Sequence, residues 1–306
     1  MILIENINNF NIKKSVVALG KFDGIHLGHQ AIFKELEKEK NREKETKTVV
    51  ITFSVSPEAV LSDKKLKYIM TDKEKRNYFE QSGIDYLIDI KLDKEFLNIS
   101  AQDFVEKYLS EKLGAVKVVC GQNFRFGRNR QGTTDFLCSI GKKFGFETKI
   151  VDYVTIEKKE ISSTRIRTEI LKGNLELANK MLGHKYSITG IVEHGRELGR
   201  TLCFPTVNIQ PPEEKILPPN GVYISECVIL KEIRAGVTNL GIKPTVGGEK
   251  IGVETNIFDY SGNLYGREVT IRLLKFLREE KKFGSIHELK KQIEKDILCA
   301  KKEIRY

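Results

Sequence analysis

Residues 15–29, SVVALGKFDGIHLGH, hold a complete strand, turn and helix start. Ser15 to Leu19 is a short apolar run that ends on Gly20, a strand followed by a turn. From Gly28 onward Ile32, Phe33 and Leu36 recur at helical spacing, with charge on the opposite face. Gly20, Gly24 and Gly28 permit a tight turn and a close backbone approach at a helix N-terminus. Such a terminus offers unpaired N–H groups and the positive end of the helix dipole, which together favour a phosphate. His26 and His29 are three apart, so both imidazoles can face one ligand. A zinc site would need a third ligand, and none stands at metal spacing.

The same alternation continues on both sides of this turn. Thr48 to Phe53 (TVVITF) is β-branched and almost continuously apolar, as a buried parallel strand requires. Ile84 to Ile90 and Val116 to Val119 read as further strands. Ser100 caps a helix through Leu113 whose Phe104, Val105, Tyr108 and Leu109 face inward, and Gly114 stops it. A βαβα order predicts a parallel sheet wrapped by helices. Asn174 caps one more helix, ended by Gly183. After that the pattern changes. Ser187–Glu193, Val222–Ile229, Arg234–Leu240, Val253–Phe258 and Val269–Leu274 are short strands parted by Gly, Pro or Asn turns, which predicts an antiparallel β-barrel. A final helix starts at Ser285, with Glu288 placed for a capping box and Ile286, Leu289, Ile293 and Ile297 in one stripe. The chain therefore divides into domains 1–183 and 184–306.

Composition narrows the function. With 306 residues, 40% hydrophobic and 31% charged, the chain has material for two cores and is not disordered. No apolar run reaches membrane-spanning length, and the first residues lack a secretory signal, so the expected location is cytoplasmic. The formal charge of +10 suits a polyanionic small molecule. Lysines interleave with glutamates, as in Glu35 to Lys47, with no concentrated basic stripe or aromatic RNA-binding motif, which argues against nucleic acid. The five cysteines include no CxxC pair and are odd in number, so neither a disulfide framework nor a zinc knuckle is indicated.

Three further segments carry chemistry. Gly121–Gly127 (GQNFRFG) follows a strand and leads into Arg128 and Arg130. Ile161–Arg167 (ISSTRIR) runs hydroxyls and two arginines into a helix. In an α/β sheet, ligands sit beyond the carboxyl ends of the strands, and hydroxyl, amide and guanidinium groups there suit a triphosphate. Gly199–Asn208 (GRTLCFPTVN) places a hydroxyl, Thr206, and an amide, Asn208, on a proline-stiffened turn, a pair able to take a magnesium ion and nucleotide phosphates.

HxGH followed by ISSTRIR resembles the nucleotidyltransferase superfamily. GKFDGIHLGH, GQNFRFG and ISSTRIR together resemble the N-terminal module of the prokaryotic bifunctional riboflavin kinase/FAD synthetase family. PTVN (205–208), GVY (221–223), KPT (243–245), Val253–Glu254 followed by IFDY, and LYG (264–266) resemble its kinase module in the same order. The resemblance implies an α/β fold: a Rossmann-like adenylyltransferase domain with a parallel sheet, plus an antiparallel riboflavin kinase barrel with a terminal helix. It implies that Gly20, Phe22, Asp23, Gly24, His26, His29, Asn123, Ser163, Thr164 and Arg165 hold ATP and its phosphates, with His26 and His29 also catalytic. It implies that Thr206 and Asn208 hold magnesium-ATP for the kinase, and that Glu254 is its base. The implied small molecules are riboflavin, FMN and ATP, with Mg2+ as cofactor and FAD as product. Nucleic acid and membrane are not implied, and homo-oligomer formation is left open.

Two positions depart from the family pattern. Cys203 stands where a glycine is usual in the kinase loop, and Ser56 where a histidine commonly precedes proline. Cys203 motivates one rival, a monofunctional FMN adenylyltransferase whose kinase half only binds flavin. Another nucleotidyltransferase, such as one acting on pantetheine phosphate, would leave the PTVN half unexplained.

Overall fold

The computed structural model describes residues 1–7, 10–53, 66–90, 93–194, 206–245 and 248–304. The chain forms two compact units, one of Met1–Leu66 and Met70–Ser163, the other of Lys67–Ile69 and Thr164–Tyr306.

The first unit is built on six strands: β1 (Ile2–Ile4), β2 (Ser15–Leu19), β3 (Lys47–Phe53), β4 (Tyr86–Ile90), β5 (Ala115–Gly121) and β6 (Glu147–Val151). They form one sheet in the order β1-β4-β3-β2-β5-β6, parallel throughout. Every residue of β2 is buried, because helices cover both faces of the sheet. Val16, Ala18 and Val50 meet Ile32 and Leu36 of the helix Leu27–Arg42 on one face. Val17, Leu19 and Val118 meet Phe104, Leu109, Phe126 and Leu137 on the other. From β2 the chain moves outward through β3 to β4, then returns to pair β5 on the opposite side of β2. The sheet therefore has its topological switch point between β2 and β5, where Leu19 and Cys120 are paired.

Ser100 caps its helix as read, accepting from the Asp103 N–H at 3.0 Å, but Phe104–Lys112 is wound as a π-helix. Phe104, Val105 and Leu109 are buried there, and Tyr108 is half-buried. Two edge strands, β1 and β6, have no counterpart in the sequence reading. A small hairpin, β7 (Thr155–Ile156) and β8 (Lys159–Glu160), follows the sheet.

The second unit is a closed barrel of β9 (Ser187–Glu193), β10 (Thr206–Ile209), β11 (Gly221–Ile229), β12 (Glu232–Thr245), β13 (Gly248–Ile257) and β14 (Glu268–Arg278), ordered β10-β13-β12-β11-β14-β9. All its pairings are antiparallel. Tyr223, Leu240, Val253, Ile271 and Leu273 fill the interior. Three buried hydroxyls are satisfied inside it: Thr238 bonds Ser225 at 2.7 Å and Thr255 at 2.8 Å. Thr206–Ile209, read as a turn, is a strand of this barrel.

The helix Leu175–Leu182 begins at Asn174 and ends at Gly183, whose φ of +71° is the left-handed cap that glycine adopts without strain. The terminal helix Ile286–Glu303 starts at Ser285, whose hydroxyl accepts from the Glu288 N–H at 3.2 Å. The Glu288 carboxylate takes the Gly284 N–H at 3.0 Å instead of closing a capping box. Leu289, Ile293 and Ile297 are half-buried and Ile286 is exposed; the buried positions of the helix are Asp296 and Ala300. Among the described residues, no helix is long and apolar enough to cross a membrane.

Candidate active sites

The turn after β2 is held in an uncommon shape. Phe22, Gly24 and Ile25 all have positive φ, at 50°, 82° and 38°. A β-branched residue in that region is strained, so the surroundings must hold it there. They do so through three hydrogen bonds from distant parts of the chain. The Thr52 hydroxyl donates to the Lys21 carbonyl at 3.0 Å. The Met70 N–H donates to the Asp23 carboxylate at 3.2 Å. The Ser163 hydroxyl donates to the Asp23 carbonyl at 2.9 Å. Phe22 is fully buried under the turn, and a side chain at Gly20 would meet its ring at 2.8 Å.

His26 is the N-cap residue of the helix Leu27–Arg42, and its side chain makes no capping bond. Its ring stacks on that of His29 with centroids 3.6 Å apart and planes at 20°. Gly28 makes the stack possible, since a Cβ there would lie 3.1 Å from the His26 ring. The Phe22 ring meets His29 edge-on at 5.2 Å. The His29 Nδ1 is buried and has no hydrogen-bond partner among the described residues. Burial, and secondarily the neighbouring His26, push the His29 pKa well below the usual imidazole range. His29 is therefore neutral at pH 7.

Asn123 lies exposed in the turn after β5, across the switch point from the histidines. Ser163 opens the helix Ser163–Leu171. Thr164 and Arg165 follow on it, and the Ser163 hydroxyl ties the start of this helix to the histidine turn.

The barrel carries its own cluster on its outer surface. Asn208 on β10 is paired with Glu254 on β13, and Thr206 with Asn256. These residues alternate with the buried Val253 and Thr255, so they share the outer face. The Thr206 hydroxyl donates to Glu254 Oε1 at 2.7 Å. Asn239 on β12 stands opposite Glu254 from the other side, and its amide donates to Glu280 at 3.2 Å. Nothing in the sequence singled out Asn239, because its place beside Glu254 comes from strand register alone. Cys203 and Ser56 lie outside the described residues.

One polar cluster lies on the parallel-sheet unit and another on the barrel, an arrangement that suits an enzyme with two activities. Comparison with known proteins specifies which. The FAD synthetase family profile matches residues 9–165, and the riboflavin kinase profile matches residues 182–304. The bifunctional riboflavin kinase/FMN adenylyltransferase of Escherichia coli K12 is 35% identical over 300 residues, covering 97% of this chain and 95% of that protein. The Bacillus subtilis protein of the same name is 39% identical over 289 residues, covering 92% and 90%. A Streptococcus pneumoniae crystal structure titled as a macrolide-efflux protein superposes with a TM-score of 0.88 at 33% identity, covering 98% of each chain. The chain belongs to the bifunctional riboflavin kinase/FMN adenylyltransferase family.

Proposed function

We propose that residues 1–183 transfer AMP from ATP to FMN, giving FAD and pyrophosphate, and that residues 184–306 phosphorylate riboflavin with ATP, giving FMN and ADP. The observation that carries this reading is the division of chemistry between the sites. The barrel cluster holds a carboxylate, Glu254, oriented by a hydroxyl. The turn 20–29 has one acid, Asp23, and it is engaged in holding the turn.

That division matches the two nucleophiles. Riboflavin offers a primary alcohol. As its oxygen attacks the γ-phosphorus, the bond to the ADP oxygen breaks and the proton passes to Glu254. FMN offers a phosphate oxygen that is already anionic. It attacks the α-phosphorus, the bond to the bridging oxygen breaks, and pyrophosphate leaves. No base is required there. His26, His29 and the N–H groups of the helix start hydrogen-bond the phosphates, joined by Asn123, Ser163 and Thr164, while Arg165 supplies positive charge.

Magnesium suits the donors present. Among the described residues no cluster of three or more His, Cys, Asp or Glu is placed to hold a metal. Mg2+ needs few protein ligands when phosphates and water complete its shell, and Thr206, Asn208 and Glu254 supply hard oxygens. When bound, it would neutralise charge on the transferring phosphates. The reaction belongs in the cytoplasm, where ATP is supplied.

The test is incubation with riboflavin, ATP and Mg2+, followed by chromatographic separation of the flavins. FMN and then FAD are expected to accumulate. Unchanged riboflavin together with unchanged supplied FMN would overturn the reading.

A further inference from the structure

We propose that the hairpin after β5 binds the phosphate of FMN through Arg128 and Arg130, and so distinguishes FMN from riboflavin at the adenylyltransferase site. The inference rests on the adenylyltransferase reading above and adds residues to it. From Gly121 to Thr134 the chain carries Arg125, Arg128 and Arg130 and no acidic residue. All three arginines are exposed. Elsewhere the cations are commonly paired, as Arg76 is with Asp89 and Arg278 with Asp296. Neither Arg128 nor Arg130 has an ion pair among the described residues.

The segment that displays them is fixed in place. Phe126 and Gly132 exchange backbone hydrogen bonds at 3.1 and 2.9 Å, closing a short hairpin. The Arg128 N–H donates to the Ile99 carbonyl at 2.7 Å. Phe126 is buried and lies 5.4 Å from Phe104. At the tip Asn129 and Arg130 both have positive φ, at 54° and 58°. Two such residues in succession are strained and persist only where the surroundings hold them. The hairpin is thus a pre-formed arm with two guanidinium groups in water.

Its position selects the anion. The turn 20–29 leaves β2 towards the face covered by the helix Leu27–Arg42. The hairpin leaves β5 towards the opposite face, where Phe126 packs. The two segments therefore border the switch-point crevice from opposite flanks. In-line displacement at the α-phosphorus needs the attacking phosphate and the departing pyrophosphate on opposite sides. With the triphosphate on the histidine flank, the arginine flank receives the nucleophile's phosphate. Guanidinium groups suit a phosphomonoester dianion through paired N–H donors, and riboflavin has no such group.

The experiment is steady-state kinetics on the full chain with FMN and ATP varied separately. Arg128→Ala with Arg130→Ala is expected to raise the KM for FMN about 10- to 100-fold and leave the KM for ATP within about twofold, as loss of charge-assisted bonds to one substrate predicts. Riboflavin phosphorylation by the same variant is expected to be unchanged, which verifies folding. Arg128→Lys with Arg130→Lys should recover part of the FMN affinity. An unchanged KM for FMN, or a rise confined to ATP, overturns the proposal while leaving the adenylyltransferase reading intact. A wild-type chain that does not convert FMN at all overturns both.

Discussion

Thr206 donates its hydroxyl to Glu254 Oε1 at 2.7 Å, reaching from β10 to the neighbouring strand β13 two pairs away from its own partner, Asn256. The bond orients the carboxylate on the outer face of the barrel. A hydrogen bond to a charged group is worth about 1.5–3 kcal/mol, so its loss should lower the kinase rate roughly 10- to 100-fold. Thr206→Val keeps the shape and removes the donor, while Thr206→Ser should retain most activity. Glu254→Gln removes the base and should cost about 10²–10⁴ in FMN formation. FAD formation from supplied FMN is expected to persist in all three variants; its loss in step with kinase activity would argue against separate sites.

His29 yields a prediction with a sign. Burial and then His26 depress its folded-state pKa, so the native protein resists protonation there while the unfolded chain accepts a proton near pH 6.5. Between those two values the unfolded state binds more protons, and stability is lost as pH falls through that window. NMR titration should show the His29 imidazole still neutral below pH 6.5. Added ATP should move its titration upward, because a nearby anion favours imidazolium. His29→Ala should reduce adenylyl transfer about 10²–10³-fold and spare the kinase. A titration at the ordinary histidine value, unmoved by ATP, would count against contact with the phosphates.

The central strands of both units were legible because burial on a known face leaves a pattern. Ser15–Leu19 and Thr48–Phe53 are apolar or β-branched on almost every residue, as suits a strand covered on both faces. Edge elements were not. β1 has three residues, and β6 reads ETKIV, none of them buried. The strand β10 has four residues and follows a proline, so its sequence is that of a turn. Of the first site, the spacing of His26 and His29 was readable. The work of Asp23 was not, since its carboxylate is engaged by the N–H of Met70, 47 positions away. The left-handed backbone at Phe22 and Ile25 was equally hidden, because neither residue type favours it. At the second site, the neighbours of Glu254 depend on register, which a single strand does not encode.

Asp89 gives the opposite pH dependence. It lies buried on β4, and Arg76 reaches one of its oxygens at 3.2 Å. The other oxygen has no hydrogen-bond partner among the described residues. Burial raises its pKa most; Lys75 and Arg76 pull it back, Asp72 adds to the rise, and the net shift is upward. The native state then holds its proton to higher pH than the unfolded chain, and stability falls as pH rises between the two values. Asp89→Asn removes that dependence. The melting temperature of the wild type relative to this variant should decline from about pH 4, the ordinary aspartate range, towards neutrality. A difference that is flat or grows with pH would contradict the assignment.

Arg278 and Asp296 anchor the terminal helix to the barrel. The Arg278 Nε donates to both carboxylate oxygens at 3.0 and 3.1 Å, and Nη2 adds a bond at 2.7 Å. Gln292 donates to the same carboxylate at 2.8 Å, so Asp296 is fully engaged where it is buried. Beside it, Ala300 and Ile297 meet Ile224, Ala235 and Phe258 of the barrel's outer surface. Burying an ion pair contributes little net stability, but removing one member strands the other at a cost of about 3–5 kcal/mol. Asp296→Ala should therefore shorten the half-life of kinase activity on heating, with adenylyl transfer in the same sample decaying as in the wild type. Arg278→Met combined with Asp296→Leu replaces the pair by apolar groups of similar volume and should recover most of the loss. If the double variant were no more durable than Asp296→Ala, the pair would be required for its geometry, and charge stranding would not be the cause.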